Sequence, residues 1–89
     1  MAMLGADVEE LDRLSKTFKS EAQKIQSVLK TVDSRVAAVV GKDWKGGDAK
    51  RFKSAWDGYK PQLKNVVQAL EDAAQLVKRE AAQQRSTSA

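Results

Sequence analysis

The residues of this chain that could take part in catalysis are serines and carboxylates, because the sequence contains no histidine and no cysteine. It therefore lacks the usual proton shuttle at neutral pH, the commonest metal ligand and a thiol nucleophile. The adjacent carboxylates of Glu71 and Asp72 point to different sides of a helix and make a poor acid–base couple. Gly46-Gly47 lacks the strand–loop–helix context of a phosphate-binding loop. We expect no enzyme activity, no catalytic residue, no metal site and no cofactor.

Lysine and arginine offer a second kind of chemistry, the binding of a polyanion. The net charge is +4, and the excess lies mostly between Lys42 and Lys64. However, Asp43, Asp48 and Asp57 are interleaved with these cations, and no DNA- or RNA-binding motif is present. A solvated helix surface is the simpler interpretation. We expect no nucleic-acid partner, and a basic helical nucleic-acid-binding protein remains an alternative function.

Membrane insertion and conventional export also have little support in the sequence. The longest apolar run, 36–40, is far shorter than the ~20 residues that cross a bilayer. The amino-terminal residues lack the basic start, apolar block and cleavage site of a signal peptide. Any export is therefore expected to proceed without a cleaved signal peptide. Long amphipathic helices also lie in membrane interfaces, so membrane contact is left open.

Two amphipathic helices would position these residues. In the first, apolar residues recur every seven positions, with a second apolar set between them and Ser15 as its polar exception. Because this spacing is typical of packed helices, it predicts a helix over about 6–40 that ends at Gly41. The two sets are Leu4, Leu11, Phe18, Ile25, Val32 and Val39, and Val8, Ala22, Leu29 and Val36.

A second stretch carries the same repeat. With Asp48 as the predicted N-cap, the helix would cover about 49–84 and be followed by a frayed tail, 85–89. Pro61 leaves two alternatives: one helix with a kink near Asp57-Gly58, since the repeat continues in register, or a short helix over 48–57, a break, and a second helix over 61–84. The two apolar sets are Phe52, Tyr59, Val66 and Ala73, and Trp56, Leu63, Leu70 and Val77.

The bend between the helices, 41–48, is short, which makes the two helices antiparallel neighbours. The chain is thus predicted to be a single all-α domain, 1–89, folded as an antiparallel helical hairpin. Two helices leave much of each apolar stripe uncovered, so two hairpins are expected to pair into a dimeric four-helix bundle. The predicted core of the hairpin and the dimer is Leu11, Phe18, Ile25, Leu29, Val32, Val36, Phe52, Trp56, Tyr59, Leu63, Val66 and Leu70.

Trp44, at the centre of the bend, has two interpretations. In the simpler one it closes the end of the hairpin by packing on Val39 or Val40 and on Phe52. Gly46 would then permit a close approach of the chain and a backbone conformation that other residues avoid. In the functional interpretation, Trp44 also borders a groove that receives a segment of a partner.

The chain length, the two heptad helices and the central Trp44-Lys45-Gly46 resemble the WXG-motif family, the ESAT-like substrates of type VII secretion systems. The run that continues to Phe52, Trp56 and Pro61 is similar to actinobacterial members in particular. The resemblance covers essentially the whole chain. It implies a non-enzymatic hairpin that pairs with a second WXG-type hairpin and is exported folded from the cytoplasm. It also implies that Trp44 and Gly46 form the partner and secretion-groove motif.

In heterodimers of that family, one partner carries a carboxyl-terminal Tyr-x-x-x-Asp/Glu signal, read by the secretion ATPase beside the other partner's Trp-x-Gly turn. This chain departs from the pattern, since its only tyrosine, Tyr59, is followed four positions later by Leu63. Leu76 and Glu80 have the spacing of an aliphatic version, but glutamines follow them. The resemblance therefore implies the signal-less half of a heterodimer. A homodimer with a degenerate export signal is the alternative.

Overall fold

The computed structural model describes residues 7–88, which form two long helices joined by a tight turn. Helix α1 spans Val8–Val39 and helix α2 spans Gly47–Ser88. They pack along their lengths into a rod of 67 × 16 × 14 Å. No strand is found between residues 7 and 88. The predicted all-α antiparallel hairpin is therefore confirmed.

Helix α1 begins and ends at residues suited to those positions. The Asp7 carboxylate caps the amino end, accepting hydrogen bonds from the backbone N–H groups of Glu9 and Glu10 at 3.0 and 3.3 Å. At the carboxyl end, Val40 is extended and Gly41 follows with φ +90°, the backbone geometry that favours glycine after a helix. The predicted end at Gly41 is confirmed, while the predicted start at residue 6 lies outside the described residues.

Helix α2 begins two residues earlier than the predicted N-cap would allow. Its first residue is Gly47, and the Lys50 N–H already donates to the Gly46 carbonyl at 3.2 Å. The N-cap prediction for Asp48 is therefore wrong. Asp48 lies inside the first turn, where its negative charge complements the helix dipole and pairs with Arg51.

Pro61 does not divide α2, since a single helix runs from Gly47 to Ser88 through it. The alternative of two separate helices is wrong. The apolar repeat before and after Pro61 packs in one register against α1, with Trp56 and Leu63 half-buried and Val67 buried. That packing offsets the hydrogen bond that proline removes from the helix.

The predicted frayed tail is also wrong as far as Ser88, because α2 continues through these residues. Two contacts lie in this part of the helix. Arg85 forms an ion pair and hydrogen bond with Asp12 of α1, and the Thr87 hydroxyl donates to the Gln83 carbonyl at 2.9 Å. Ala89 lies outside the described residues.

Small side chains make the contact between the helices. The buried residues are Ala22, Val36, Ala49, Val67, Ala74 and Ala81, and no large side chain is fully buried in the described hairpin. Ser15, the polar exception in the first repeat, donates its hydroxyl to the Ala74 carbonyl at 2.8 Å and so ties α1 to α2. The larger apolar side chains lie beside this contact rather than inside it.

Candidate partner-binding face and hairpin turn

The turn is closed by backbone hydrogen bonds around the end of α1. The Val39 carbonyl accepts from the N–H groups of Lys42, Asp43 and Trp44 at 3.2, 3.0 and 3.0 Å. In return, the Gly41 N–H donates to the Trp44 carbonyl at 2.8 Å. These bonds fix the backbone of Trp44 relative to the helix end without any contribution from its indole.

The indole of Trp44 packs on the ring of Phe52 in the first turns of α2. Their centroids are 5.4 Å apart and the planes are tilted by 40°, within the range of favourable aromatic pairs. The predicted contact between these two rings is therefore present. Both side chains still leave more than a third of their surface exposed, 38% for Trp44 and 39% for Phe52. The turn thus presents aromatic surface at the end of the rod.

Gly46 adopts φ +105°, a conformation that L-residues rarely occupy. A Cβ atom built at this position would meet no heavy atom within 4 Å. The expected close approach of the chain is therefore wrong, and the expected backbone conformation is right. Glycine is required here by the dihedral angle alone.

We expect Gly46→Ala to destabilise the hairpin by about 1–2 kcal/mol, the usual cost of a positive φ at a residue with a side chain. Gly58→Ala is the matched control, since it also lacks neighbours around its Cβ but lies within α2. That control should stabilise the hairpin by roughly 0.5–1 kcal/mol. Thermal unfolding followed by circular dichroism measures both, and equal shifts would show that the Gly46 conformation carries no strain.

An apolar face runs along one side of the hairpin. On each helix the exposed fraction rises with rotation away from the buried contact. On α2 the order is buried Val67, half-buried Leu70 and exposed Val66, which is 47% accessible. On α1 it is buried Ala22, half-buried Ile25 and Val28, which is 62% accessible. On α2 the exposed apolar position recurs at heptad spacing in Tyr59 and Phe52, whereas on α1 the charged Glu21 and Arg35 lie seven residues from Val28.

On both helices the exposed apolar residues are displaced from the buried contact by a rotation of the same sense, viewed along the chain direction. In an antiparallel pair, rotations of the same sense place these residues on the same side of the hairpin. This apolar face comprises Leu11, Leu14, Phe18, Ile25, Val28 and Val32 on α1 and Phe52, Tyr59, Leu63, Val66, Leu70 and Ala73 on α2. Of the residues predicted to form the core, only Val36 is buried within one chain. The others are half-buried or exposed, and most of them lie on the apolar face.

The family model for WXG100, proteins of 100 residues with WXG, matches residues 4–87. The chain belongs to the WXG100 family. Comparison with curated proteins and with solved structures gives no significant match.

WXG100 membership identifies the chain as a small helical-hairpin substrate of a type VII secretion system. Proteins of this family are non-enzymatic secretion substrates, and they usually form dimers with another WXG protein. Within residues 7–88 of this WXG100 chain, neither helix contains an apolar stretch of the length that a bilayer span requires. Residues 7–88 also contain no cluster of three or more side chains placed to hold a metal ion.

Near the turn, a polar network joins the two helices of this WXG100 hairpin. The Trp56 indole N–H donates to the Asp33 carboxylate at 2.8 Å, and Lys60 Nζ lies 3.2 Å from the same oxygen. Lys60 also lies 3.4 Å from Asp57, which accepts hydrogen bonds from Lys53 at 2.8 and 2.9 Å. Asp33 is not among the residues predicted from the sequence to be functional. The feature that could have identified it is an acidic residue four positions after Leu29, at the edge of the buried contact.

The network favours the charged forms of its members. The indole hydrogen bond of Trp56, followed by that of Lys60, holds the pKa of Asp33 below its ordinary value. The hydrogen bond to Asp33 in turn raises the pKa of Lys60. A carboxyl with a lowered folded-state pKa stabilises the fold above its unfolded pKa, about 3.9, and loses this effect as the pH falls through the folded value.

We therefore expect Asp33→Asn to lower the melting temperature at pH 7, and we expect the difference to disappear as the pH falls through the lowered pKa of Asp33, because the wild-type carboxyl then becomes protonated as well. Asparagine retains an acceptor for the Trp56 indole and removes only the charge. Asp43→Asn is the matched control, since Asp43 lies in the turn and makes no ion pair within residues 7–88. A pH-independent difference for Asp33→Asn would contradict the assigned role of its charge.

Proposed function

We propose that this chain is one subunit of a helical-hairpin dimer, in which its apolar face packs against the apolar face of a second WXG-type hairpin. The observation that carries the proposal is the presence of large exposed apolar side chains on this side of both helices. Apolar side chains as large as Phe52, Tyr59 and Val66 stay 39–54% accessible in the single hairpin. Covering them with a second hairpin would form a four-helix bundle and remove this surface from water.

The scarcity of buried surface in the single chain supports the same conclusion. The contact between α1 and α2 consists mainly of alanine and valine side chains, which remove little apolar area from water. A larger apolar side chain contributes more when it is buried, and in the described hairpin the larger apolar side chains are only half-buried or exposed. Pairing would bring Leu63, Leu70 and their neighbours into a core.

Within such a dimer, the chain would be the half without the export signal. Its only tyrosine, Tyr59, lies in the middle of α2 on the apolar face and has Leu63 at the position of the acidic residue. The proposed contribution of this chain is the turn, with Trp44 exposed at the end of the rod and Gly46 holding the backbone that follows it. The partner would supply the signal, and the secretion ATPase would bind the two elements together.

Co-expression with a second Trp-x-Gly hairpin that carries the tyrosine signal tests the pairing. We expect a stable complex of one copy of each chain, measured by size-exclusion chromatography with light scattering. A stable homodimer that excludes the second hairpin would favour the alternative of a homodimeric protein with a degenerate export signal. A chain that stays monomeric alone and in every mixture would contradict the proposal.

A further inference from the structure

The side of the hairpin opposite the apolar face carries two grooves between α1 and α2. The larger one, about 620 Å³, is lined by Lys30, Lys60 and Lys64 among other residues. The smaller one, about 210 Å³, is lined by Lys16, Lys19 and Lys78. Heptad spacing places both on one side, since Lys64 and Lys78 are two heptads apart and line different grooves. We call this surface, with its six lysines, the basic face.

The positive charge of the basic face is poorly compensated. Three carboxylates line the grooves, but Asp12 is paired with Arg85 and Asp33 with Lys60. Only Glu71 remains to balance the other lysines. Within residues 7–88, no ion pair is formed by the following exposed lysines of this face: Lys16, Lys19, Lys30, Lys64 and Lys78.

We propose that the basic face binds an acidic helical segment of a partner protein. The channel between two antiparallel helices accepts a third helix, whose side chains fill the space between the two walls. Lys16 and Lys30 are 14 residues apart on α1. At about 1.5 Å per residue this separation is about 21 Å, so a helix of about 15–20 residues reaches all the lysines.

The floor of the larger groove favours a helix over a nucleic acid. It contains Leu29 and Val67, and the amides of Gln26 and Gln68 stand beside the lysines. An amphipathic helix could place an apolar side chain on this floor and carboxylates against the lysines. The two grooves offer no aromatic residue for base stacking and no arginine fork for a bidentate contact, which leaves charge alone for a nucleic acid.

The basic face and the apolar face lie on opposite sides of the rod, so pairing through the apolar face leaves the basic face open to solvent. The inferred interaction is therefore compatible with a dimer and does not depend on it. The basic face would bind an acidic amphipathic helix and recognise it mainly by charge. Binding should accordingly weaken as the salt concentration rises.

Fluorescence anisotropy with the purified full-length chain tests the inference. The probe is a fluorescein-labelled 20-residue helical peptide of glutamate, leucine and alanine, and a second peptide has glutamine in place of each glutamate. We expect the glutamate peptide to bind at least about tenfold more tightly than the glutamine peptide. No binding of the glutamate peptide, or equal binding of both, would overturn the inference.

The double variant Lys30→Gln/Lys64→Gln should weaken binding of the glutamate peptide by about tenfold. Its matched control, Lys24→Gln/Lys45→Gln, removes the same charge from residues that do not line the grooves, and it should change binding less than about twofold. Circular dichroism establishes that both variants remain helical. An equal loss of peptide binding in both double variants would show that net charge alone controls binding, and it would overturn the inference. A 20-base-pair DNA duplex that binds more tightly than the peptide, with the same dependence on Lys30 and Lys64, would assign the face to nucleic acid instead.

Discussion

Replacing Val66 by glutamate is expected to abolish pairing of this hairpin with a second WXG-type chain while leaving the hairpin folded. Val66 is 47% accessible in the single chain and lies on the apolar face beside half-buried Leu63 and Leu70. In a bundle, its side chain would be enclosed between the hairpins. An unpaired buried charge costs about 3–5 kcal/mol, which weakens association by at least about a hundredfold.

Asn65→Glu is the matched control for this substitution. It adds the same charge one residue earlier, at an exposed position that points away from the apolar face. We expect this variant to pair like the wild type. Sedimentation velocity over a concentration series measures association, and circular dichroism measures helix content. Loss of pairing in both variants would show that charge, and not the apolar face, controls association.

Replacing Trp44 by alanine is expected to stop export while lowering stability only moderately. The indole contacts Phe52 and is 38% accessible, so its truncation removes one aromatic pair worth about 0.5–1.5 kcal/mol and part of its apolar burial. The backbone bonds that close the turn do not involve the side chain. The folded hairpin and its pairing should therefore survive, and a defect in export would reflect the lost aromatic surface.

Phe52→Leu separates these two effects, since it removes the same ring pair and keeps Trp44 in place. We expect this control to lose a similar amount of stability and, because leucine keeps this position of the apolar face apolar, to pair and be exported normally. Culture-filtrate and cell-pellet fractions, probed with an antibody against the chain, measure export. Equal export of the Trp44→Ala variant and the wild type would confine Trp44 to a packing role.

The architecture of the hairpin can be predicted from local features of the sequence. Apolar residues at heptad spacing lie on both sides of a short bend that contains glycines. This pattern predicts an antiparallel helical hairpin. The positive φ of Gly46 and the packing of Trp44 on Phe52 follow from the same reasoning. Local chemistry determines these features, so a single sequence suffices to predict them.

Features that depend on the distance between the helices could not be predicted in the same way. Hydrophobicity favours large residues for the core, but the intrachain contact is made by small ones such as Ala22, Ala74 and Ala81. Near the end of α2, which continues to Ser88, Arg85 pairs with Asp12, a residue 73 positions earlier in the chain. Such contacts depend on the alignment of α1 and α2 along the rod, which the periodic pattern leaves open.

We propose that this chain leaves the cell as the signal-less half of a pair. Export of the chain should be measured in cells that produce its partner with an intact tyrosine signal, with that tyrosine replaced by alanine, or no partner at all. We expect the chain in the culture filtrate only in the first case. Export at the same level from cells without the partner would contradict the claim.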